Sequence, residues 1–323
     1  MFSKKEEEIL IELFSLYAPS RNDVKVINFI TDFLKKNEIP FIKDENGNIF
    51  SLNNYNMPIL SAHMDSVGDS DCGFLNDFIN IFDYRGDRII KGMGNIGGDD
   101  KCGIFIILME LLKNKSLNFI FSIDEEIGCV GIKQVIPAND ISEFPYALVL
   151  DRRGSGDIIC ANNNYGTKEF EEALHEIGKD FNYSPATGTC SDANTIRDYI
   201  SCANLSVAYH NPHSKNEFVS LTQLHNAIMY VDAIIENLKD QKFDKPTVTV
   251  QSYKNKTSNY QDDDWINRYN NGKKFDFTNK FWCPVCRSYQ PNTSKRTRKN
   301  NKLDGICQTC LDAINGENDK LIP

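Results

Sequence analysis

The sequence predicts an α/β domain built on a mixed, mostly parallel sheet flanked by helices on both faces, with a small separate module at its C-terminal end. Two observations predict the domain. Short apolar runs bounded by turn residues alternate with longer segments whose apolar residues recur at helical spacing. Some of the short runs, Ile59 to Ala62 and Ala147 to Leu150 among them, are nearly continuous in hydrophobicity, as strands covered on both faces are. A third observation, two close cysteine pairs near the C-terminus, sets the module apart.

The elements follow in order. Ile9, Leu10, Leu13, Phe14 and Tyr17 share one helical face over residues 7–17, and Ala18-Pro19-Ser20 breaks that helix. Ser20 or Asn22 can cap a second helix, in which Val26, Ile27, Ile30, Phe33 and Leu34 repeat at helical spacing. Phe41-Ile42 and Ile49-Phe50 flank Asn46-Gly47, a hairpin signal. Ile59 to Ala62 predicts a buried strand ending at His63, and a second hairpin is expected from Phe78 to Ile90 around Arg85-Gly86-Asp87. A glycine-rich turn at 92–98 leads to a helix from about 101 to 113 and a strand from Asn118 to Ile123. Ala147 to Leu150 reads as a strand, Lys168 to Ile177 and Asp192 to Tyr199 as helices, and Leu205 to Tyr209 as a strand. Ser220-Leu-Thr-Gln223 has the form of a capping box opening a long helix to about Leu238. From 239 to 279 the pattern dissolves into Asn, Lys, Asp, Ser and Thr, which predicts a polar linker.

Composition bounds the function. With 41% hydrophobic and 25% charged residues, the 323-residue chain is no disordered polymer. Its longest nearly apolar stretch, Gly103 to Leu112, is too short for a membrane span, and the N-terminus lacks the apolar core of an export signal, so a cytoplasmic protein with no membrane partner is expected. The net charge of −9 is uneven: Cys283 to Cys310 holds six Lys/Arg against one Asp, leaving +5 there and −14 elsewhere. The acidic body will not attract nucleic acid. Six cysteines, Cys72, Cys102, Cys129, Cys160, Cys190 and Cys202, are scattered singly, which suits reduced and mostly buried thiols.

In open α/β sheets functional groups gather at the carboxyl ends of strands. Four segments rich in acids or histidine fall there: Ser61-Ala-His63-Met-Asp65, Gly97-Gly-Asp99-Asp100-Lys101, Asp124-Glu125-Glu126-Ile-Gly128 and Leu150-Asp151. A fifth, Tyr209-His-Asn-Pro-His213-Ser-Lys-Asn-Glu217, follows the last strand. Each alone reads as solvated surface. Together, two imidazoles and several carboxylates would repel unless cations neutralise them, and such mixed ligation suits a pair of Zn²⁺ ions, with Mn²⁺ or Co²⁺ as substitutes. Residues two apart in a strand face the same side, so Asp65 is placed to accept a hydrogen bond from the non-metal nitrogen of His63. His175 and His225 lie in expected amphipathic helices and read as structural.

The ordered set His-x-Asp, Gly-x-Asp-Asp-Lys-x-Gly, Asp-Glu-Glu-Ile-Gly, strand-Asp and His-Ser-x-x-Glu resembles the co-catalytic zinc exopeptidases, most closely the peptidase T (tripeptide aminopeptidase) and carboxypeptidase G group. Cys190-Ser-Asp-Ala-Asn194 also looks like peptidase T. The resemblance covers about residues 5–238. It implies that Asp99 bridges two metals, that His63 and Asp151 complete one site, and that Glu126 and His213 complete the other. It implies further that Glu125 is the general base, that Asp65 is the carboxylate behind His63, and that the Asp99–Asp100 peptide is cis. Only sixty-one residues separate Asp151 from His213, too few for the lid domain that peptidase T-like enzymes insert there, so a lidless body is expected.

The C-terminal module reads on its own. Cys283-Pro-Val-Cys286 and Cys307-Gln-Thr-Cys310 have the spacing of a four-thiolate zinc ribbon, expected over 280–315 with one structural Zn²⁺ on Cys283, Cys286, Cys307 and Cys310. Its basic loop, Lys295-Arg-Thr-Arg298-Lys299, is a candidate contact for nucleic acid, a phosphate-bearing surface or an acidic protein, or simply a solvated loop. The expected protein is therefore a di-metal hydrolase over 1–238, cleaving an N-terminal peptide bond of a short peptide with Glu125 as base. A deacylase of N-acyl amino acids or other small amides shares the chemistry, and a non-enzymatic adaptor working through the ribbon is the alternative from another class.

Overall fold

The computed structural model describes residues 2–67, 79–92, 94–239 and 241–247, and the backbone of two strands at 280–283 and 288–291. Two compact units divide the chain, Met1–Thr249 and Val250–Pro323.

In the first unit the helices are α1 (Lys4–Phe14), α2 (Val24–Lys36), α3 (Gly98–Lys113), α4 (Val130–Ala138), α5 (Lys168–Gly178), α6 (Ala193–Ile196) and α7 (Leu221–Leu238). The strands are β1 (Ile42–Lys43), β2 (Ile49–Ser51), β3 (Ile59–His63), β4 (Asn80–Tyr84), β5 (Asp87–Lys91), β6 (Asn118–Ser122), β7 (Ala147–Arg152), β8 (Asp157–Ile159), β9 (Ser184–Ala186), β10 (Cys202–Ser206), β11 (Tyr209–His210) and β12 (Phe218–Ser220). Eight of them form one sheet in the order β1-β2-β6-β3-β7-β10-β8-β9. Its four central strands, β6, β3, β7 and β10, run parallel. Strands β11, β12, β5 and β4 make a separate antiparallel sheet.

The central strands are largely apolar on both sides because alternate residues fill two cores. Leu60, Phe119, Phe121, Leu148 and Leu150 enter one core with α1, α2, α3, α5 and α7. Ile59, Ile120, Ala147 and Val149 enter the other with Ile132, Val135 and Ile136 of α4 and Ile196 of α6. Helices therefore cover both faces, as the sequence predicts, and β3, β6 and β7 all end at the same edge.

Several elements differ from expectation, among them β8, β9 and β12, which the sequence did not suggest, and α6, which is confined to Ala193–Ile196. The strand expected over 205–209 runs instead over Cys202–Ser206, and Tyr209–His210 joins the second sheet against Phe218 and Val219. Polar Asn204 interrupts the apolar run and hides the true strand, yet inside the sheet its amide is used: Asn204 Oδ1 accepts from Asp151 N at 3.1 Å and Nδ2 donates to Asp151 O at 2.9 Å. Helix α4 was not expected; Pro137 sits in its last turn and disguises it. Only half of the capping box forms at α7, where Ser220 Oγ accepts from Gln223 N at 3.1 Å. The Gln223 side chain turns instead to His210 Nε2.

The packed chain continues past Leu238, since Phe243 is buried with its ring 4.6 Å from Phe170 and 5.9 Å from Tyr146. In the second unit, β13 (Lys280–Cys283) pairs antiparallel with β14 (Ser288–Pro291), so the first cysteine of the expected ribbon ends a hairpin strand. Cys286, Cys307, Cys310 and the basic loop 295–299 lie outside the described residues. Among the described residues no helix is long and apolar enough to cross a membrane.

Candidate metal centre

Three segments at the carboxyl ends of β3, β6 and β7, and two from the small sheet, the turn between β5 and α3 and the loop between β11 and β12, converge on a single cluster. His63, the last residue of β3, places Nε2 3.0 Å from Asp99 Oδ1 and 3.7 Å from Asp151 Oδ1. His213, half-exposed in the loop between β11 and β12, places its own Nε2 3.2 Å from Asp99 Oδ2 and 2.8 Å from Glu126 Oε1. The two imidazoles thus face opposite oxygens of one carboxylate. Two groups of side chains that could hold a metal ion result, His63-Asp99-Asp151 and Asp99-Glu126-His213, with Asp99 in both.

Asp99 is held by the turn it sits in. It precedes the regular part of α3: Asp99 and Asp100 have non-helical φ/ψ, and the peptide joining them is cis. Asp100 points back into the fold, where its Oδ2 accepts from His63 N at 3.2 Å and Oδ1 from Gly103 N at 3.1 Å. Gly103 has to be glycine, because a Cβ there would lie 2.2 Å from Leu150 O and 2.6 Å from Asp100 Oδ1. The buried Glu217 gathers the amides of the turn, its Oε2 accepting from Ile96 N at 2.8 Å and Gly97 N at 2.9 Å and its Oε1 from Asp99 N at 3.3 Å. Lys101 Nζ donates to the carbonyls of Phe14 (3.2 Å), Leu16 (2.6 Å) and Ile96 (3.0 Å), tying the same turn to the end of α1. Burial brings the Lys101 ammonium down to about 7.

Asp65 does more than stand behind His63. The nearer partner of His63 Nδ1 is the Asp65 main-chain carbonyl at 2.9 Å, with the carboxylate Oδ1 at 3.4 Å. The carboxylate instead accepts from Glu125 N at 2.8 Å, Glu126 N at 3.3 Å and Ser20 Oγ at 2.6 Å. Burial opposes its ionisation, but these bonds and His63 hold its carboxyl below the usual range.

Glu125 lies against Cys129 and Asp192, with ligand atoms of all three within 4.8 Å. Cys129 Sγ is 3.4 Å from Glu125 Oε1, and Asp192 Oδ2 accepts from Ser122 Oγ at 2.5 Å. Burial first, then the charges of Asp192 and Glu126, lift the Glu125 carboxyl to about 7. Burial and Asp99 push Asp151 well up. Burial resists a charge on His63, yet hydrogen bonds to Asp151, Asp65 and Asp99 outweigh it and raise its pKa well above the ordinary value. Bonds to Asp99 and Glu126 raise His213 to about 10. The electrostatics are those of a site crowded with negative charge that recruits whatever positive charge it can reach.

All seven residues expected in the catalytic site, His63, Asp65, Asp99, Glu125, Glu126, Asp151 and His213, therefore meet at one place. Glu217, Asp192 and Tyr209, whose hydroxyl donates to Asp151 Oδ1 at 3.2 Å, fall within the quoted motifs but were given no role from sequence, and Asn204 was not named at all. The signal available for Glu217 was its spacing from His213. Because carboxylates that orient a metal ligand typically contribute 10- to 100-fold in affinity, Glu217→Ala is expected to weaken metal binding about tenfold or more while the fold survives, read by metal titration beside a thermal melt.

The cluster opens into a cavity of about 300 Å³ lined by Asp99, Glu125, Glu126, Asp151 and His213 together with Arg152, Arg153 and uncharged residues.

No protein-family model matches the chain. A [LysW]-lysine/[LysW]-ornithine hydrolase of Saccharolobus solfataricus is 25% identical over 161 residues, 49% of this chain and 43% of that relative, so the match spans less than half of the relative's length. Among solved structures, aminopeptidase PepT from Bacillus cereus aligns over 72% of this chain and 98% of its own with 16% identity and a TM-score of 0.56. A tripeptidase from Staphylococcus aureus aligns over 73% and 99% with 14% identity and a TM-score of 0.56. A TET aminopeptidase from a marine sediment thaumarchaeote aligns over 73% and 98% with 14% identity and a TM-score of 0.58. The first unit of this chain therefore has the α/β fold of these peptidases.

Proposed function

We propose that the chain is a di-metal hydrolase of amide bonds, acting as an aminopeptidase on short peptides. The observation that carries this reading is the placement of His63 Nε2 and His213 Nε2 on opposite oxygens of Asp99, each with a further carboxylate beside it. That donor set, two imidazoles and three carboxylates facing a cavity, fits divalent cations of the Zn²⁺, Mn²⁺ or Co²⁺ type. His63, Asp99 and Asp151 would hold one ion and Asp99, Glu126 and His213 the other. When bound, such ions supply Lewis-acid chemistry that acidifies water and polarises a carbonyl. The chain's own part falls to Glu125, which takes a proton from the attacking water and returns it to the leaving nitrogen. Asp65 fixes Glu125 and Glu126 through their amides. The shared fold with PepT and a tripeptidase, and the partial match to a hydrolase, support the assignment. In the same proposal Cys283, Cys286, Cys307 and Cys310 hold a structural Zn²⁺ outside the reaction.

The test is a comparison of Ala-Ala-Ala with its N-acetyl form, each with added Zn²⁺, Mn²⁺ or Co²⁺ and read by mass spectrometry. Release of N-terminal alanine from the free peptide only is the expected outcome. Deacetylation without attack on the free peptide would replace the aminopeptidase with an N-acyl deacylase. No turnover of either peptide with any of the metals would refute the hydrolase.

A further inference from the structure

Two arginines follow the candidate ligand Asp151 at the end of β7, and both line the cavity. Their situations differ. Arg152 is spent within the protein: its Nη2 lies 2.9 Å from Asp157 Oδ2, and Nε donates to the same oxygen at 3.0 Å. Arg153 has an exposed side chain with no hydrogen bond or ion pair among the described residues.

Its backbone, by contrast, is clamped. Ser206 Oγ donates to Arg153 O at 2.9 Å. On either side, Val207 N donates to Arg152 O at 2.8 Å, Gly154 N to Tyr209 O at 2.7 Å and Ala208 N to Gly154 O at 2.9 Å. A rigid main chain thus presents an unneutralised guanidinium to the cavity that holds the candidate metal ligands. The two arginines also line a second recess of about 430 Å³ with Ser155, Asp157, His210 and Asn211, and the acid there, Asp157, is the one paired with Arg152.

The acids of the cavity, Asp99, Glu125, Glu126 and Asp151, are accounted for as metal ligands and base, Arg152 is paired with Asp157, and the remaining lining groups besides His213 and Arg153 carry no charge. Arg153 is left as the lining cation with no acidic partner among the described residues. A guanidinium recognises a carboxylate through two parallel hydrogen bonds, whereas an uncharged substrate group would leave it merely solvated. A negatively charged substrate entering so acidic a cavity also needs a cation to direct it away from the carboxylates.

We propose that Arg153 binds a carboxylate of the substrate, so that the site selects peptides carrying a negative charge close to the scissile amide. This deepens the hydrolase reading and rests on it. The carboxylate belongs either to the free C-terminus of a short peptide or to an Asp or Glu side chain.

Three matched pairs distinguish these sources on the full chain: Ala-Ala-Ala and its C-terminal amide, Ala-Asp-Ala-amide and Ala-Asn-Ala-amide, and Glu-Ala-Ala-amide and Gln-Ala-Ala-amide. In at least one pair the charged member is expected to have a KM about tenfold lower, the size of a charge-assisted hydrogen bond. Arg153→Ala should bring the two KM values of that pair together, and Arg153→Lys should restore part of the difference. A preference that survives in Arg153→Ala, or a wild-type protein that discriminates in none of the pairs, overturns the proposal. Calorimetric binding of the same peptides to the Glu125→Gln protein, and to its double variant with Arg153→Ala, separates this inference from the one beneath it. Charge discrimination that Arg153→Ala abolishes, found in a protein whose wild type hydrolyses nothing, removes the hydrolase and keeps the carboxylate site. Binding without charge discrimination removes the carboxylate site, whatever the hydrolysis assays show.

Discussion

Glu125→Gln is expected to lower turnover about a thousandfold, within the range that a positioned acid–base group contributes, while metal content stays at the wild-type level. The amide keeps the size and much of the hydrogen-bonding capacity of the acid but cannot carry the proton from water to the leaving nitrogen. Because the Glu125 amide N–H, not its side chain, is what Asp65 holds, the loop should keep its shape. Metal analysis and steady-state rates on one preparation decide the matter. Near-normal turnover in a metal-replete variant would remove Glu125 from the role of base.

Asp99→Ala should be as damaging by a different route. Its carboxylate faces His63 through one oxygen and His213 through the other, so deletion takes a ligand from both candidate sites at once. Loss of both catalytic metals, and with them all measurable activity, is the expected result, beside a far-UV spectrum that still reports a folded α/β protein. Replacement of His213 alone should spare the site built on His63 and Asp151. An Asp99→Ala protein that retains both metals would show that the two groups do not share a bridging ligand.

The placement of the site was legible because its signals are short and local. His63 ends a nearly continuous apolar strand, Asp151 lies near the end of another, one acidic pair follows a glycine-rich turn and the other a strand, so the motif order and the sheet edge could be read together. The groups that hold those ligands were less visible. Glu217 acts on the main-chain amides of Ile96, Gly97 and Asp99, more than a hundred positions away, and an amide leaves no trace in the residue type it belongs to. Asn204 misled the placement of β10 for a related reason. A polar residue inside a buried strand lowers the apolar signal, and its partner, the backbone of Asp151, becomes apparent only once β7 and β10 are side by side. The proline in the last turn of α4 masked a helix whose stability comes from Ile132, Val135 and Ile136 packed against the sheet rather than from propensity.

One consequence concerns Asp65. Its main chain fixes the imidazole at the end of β3, and its side chain fixes the amides of Glu125 and Glu126 on the loop after β6. The two strands are already paired side by side as far as His63 and Ser122, and Asp65 carries that junction past their tips into the loops that follow. The position of Glu125 relative to the candidate ligands is then a property of the resting protein and needs no closing motion to set it. An arriving substrate meets groups already in register, and the reorganisation that a flexible loop would demand at each turnover has been settled once, during folding.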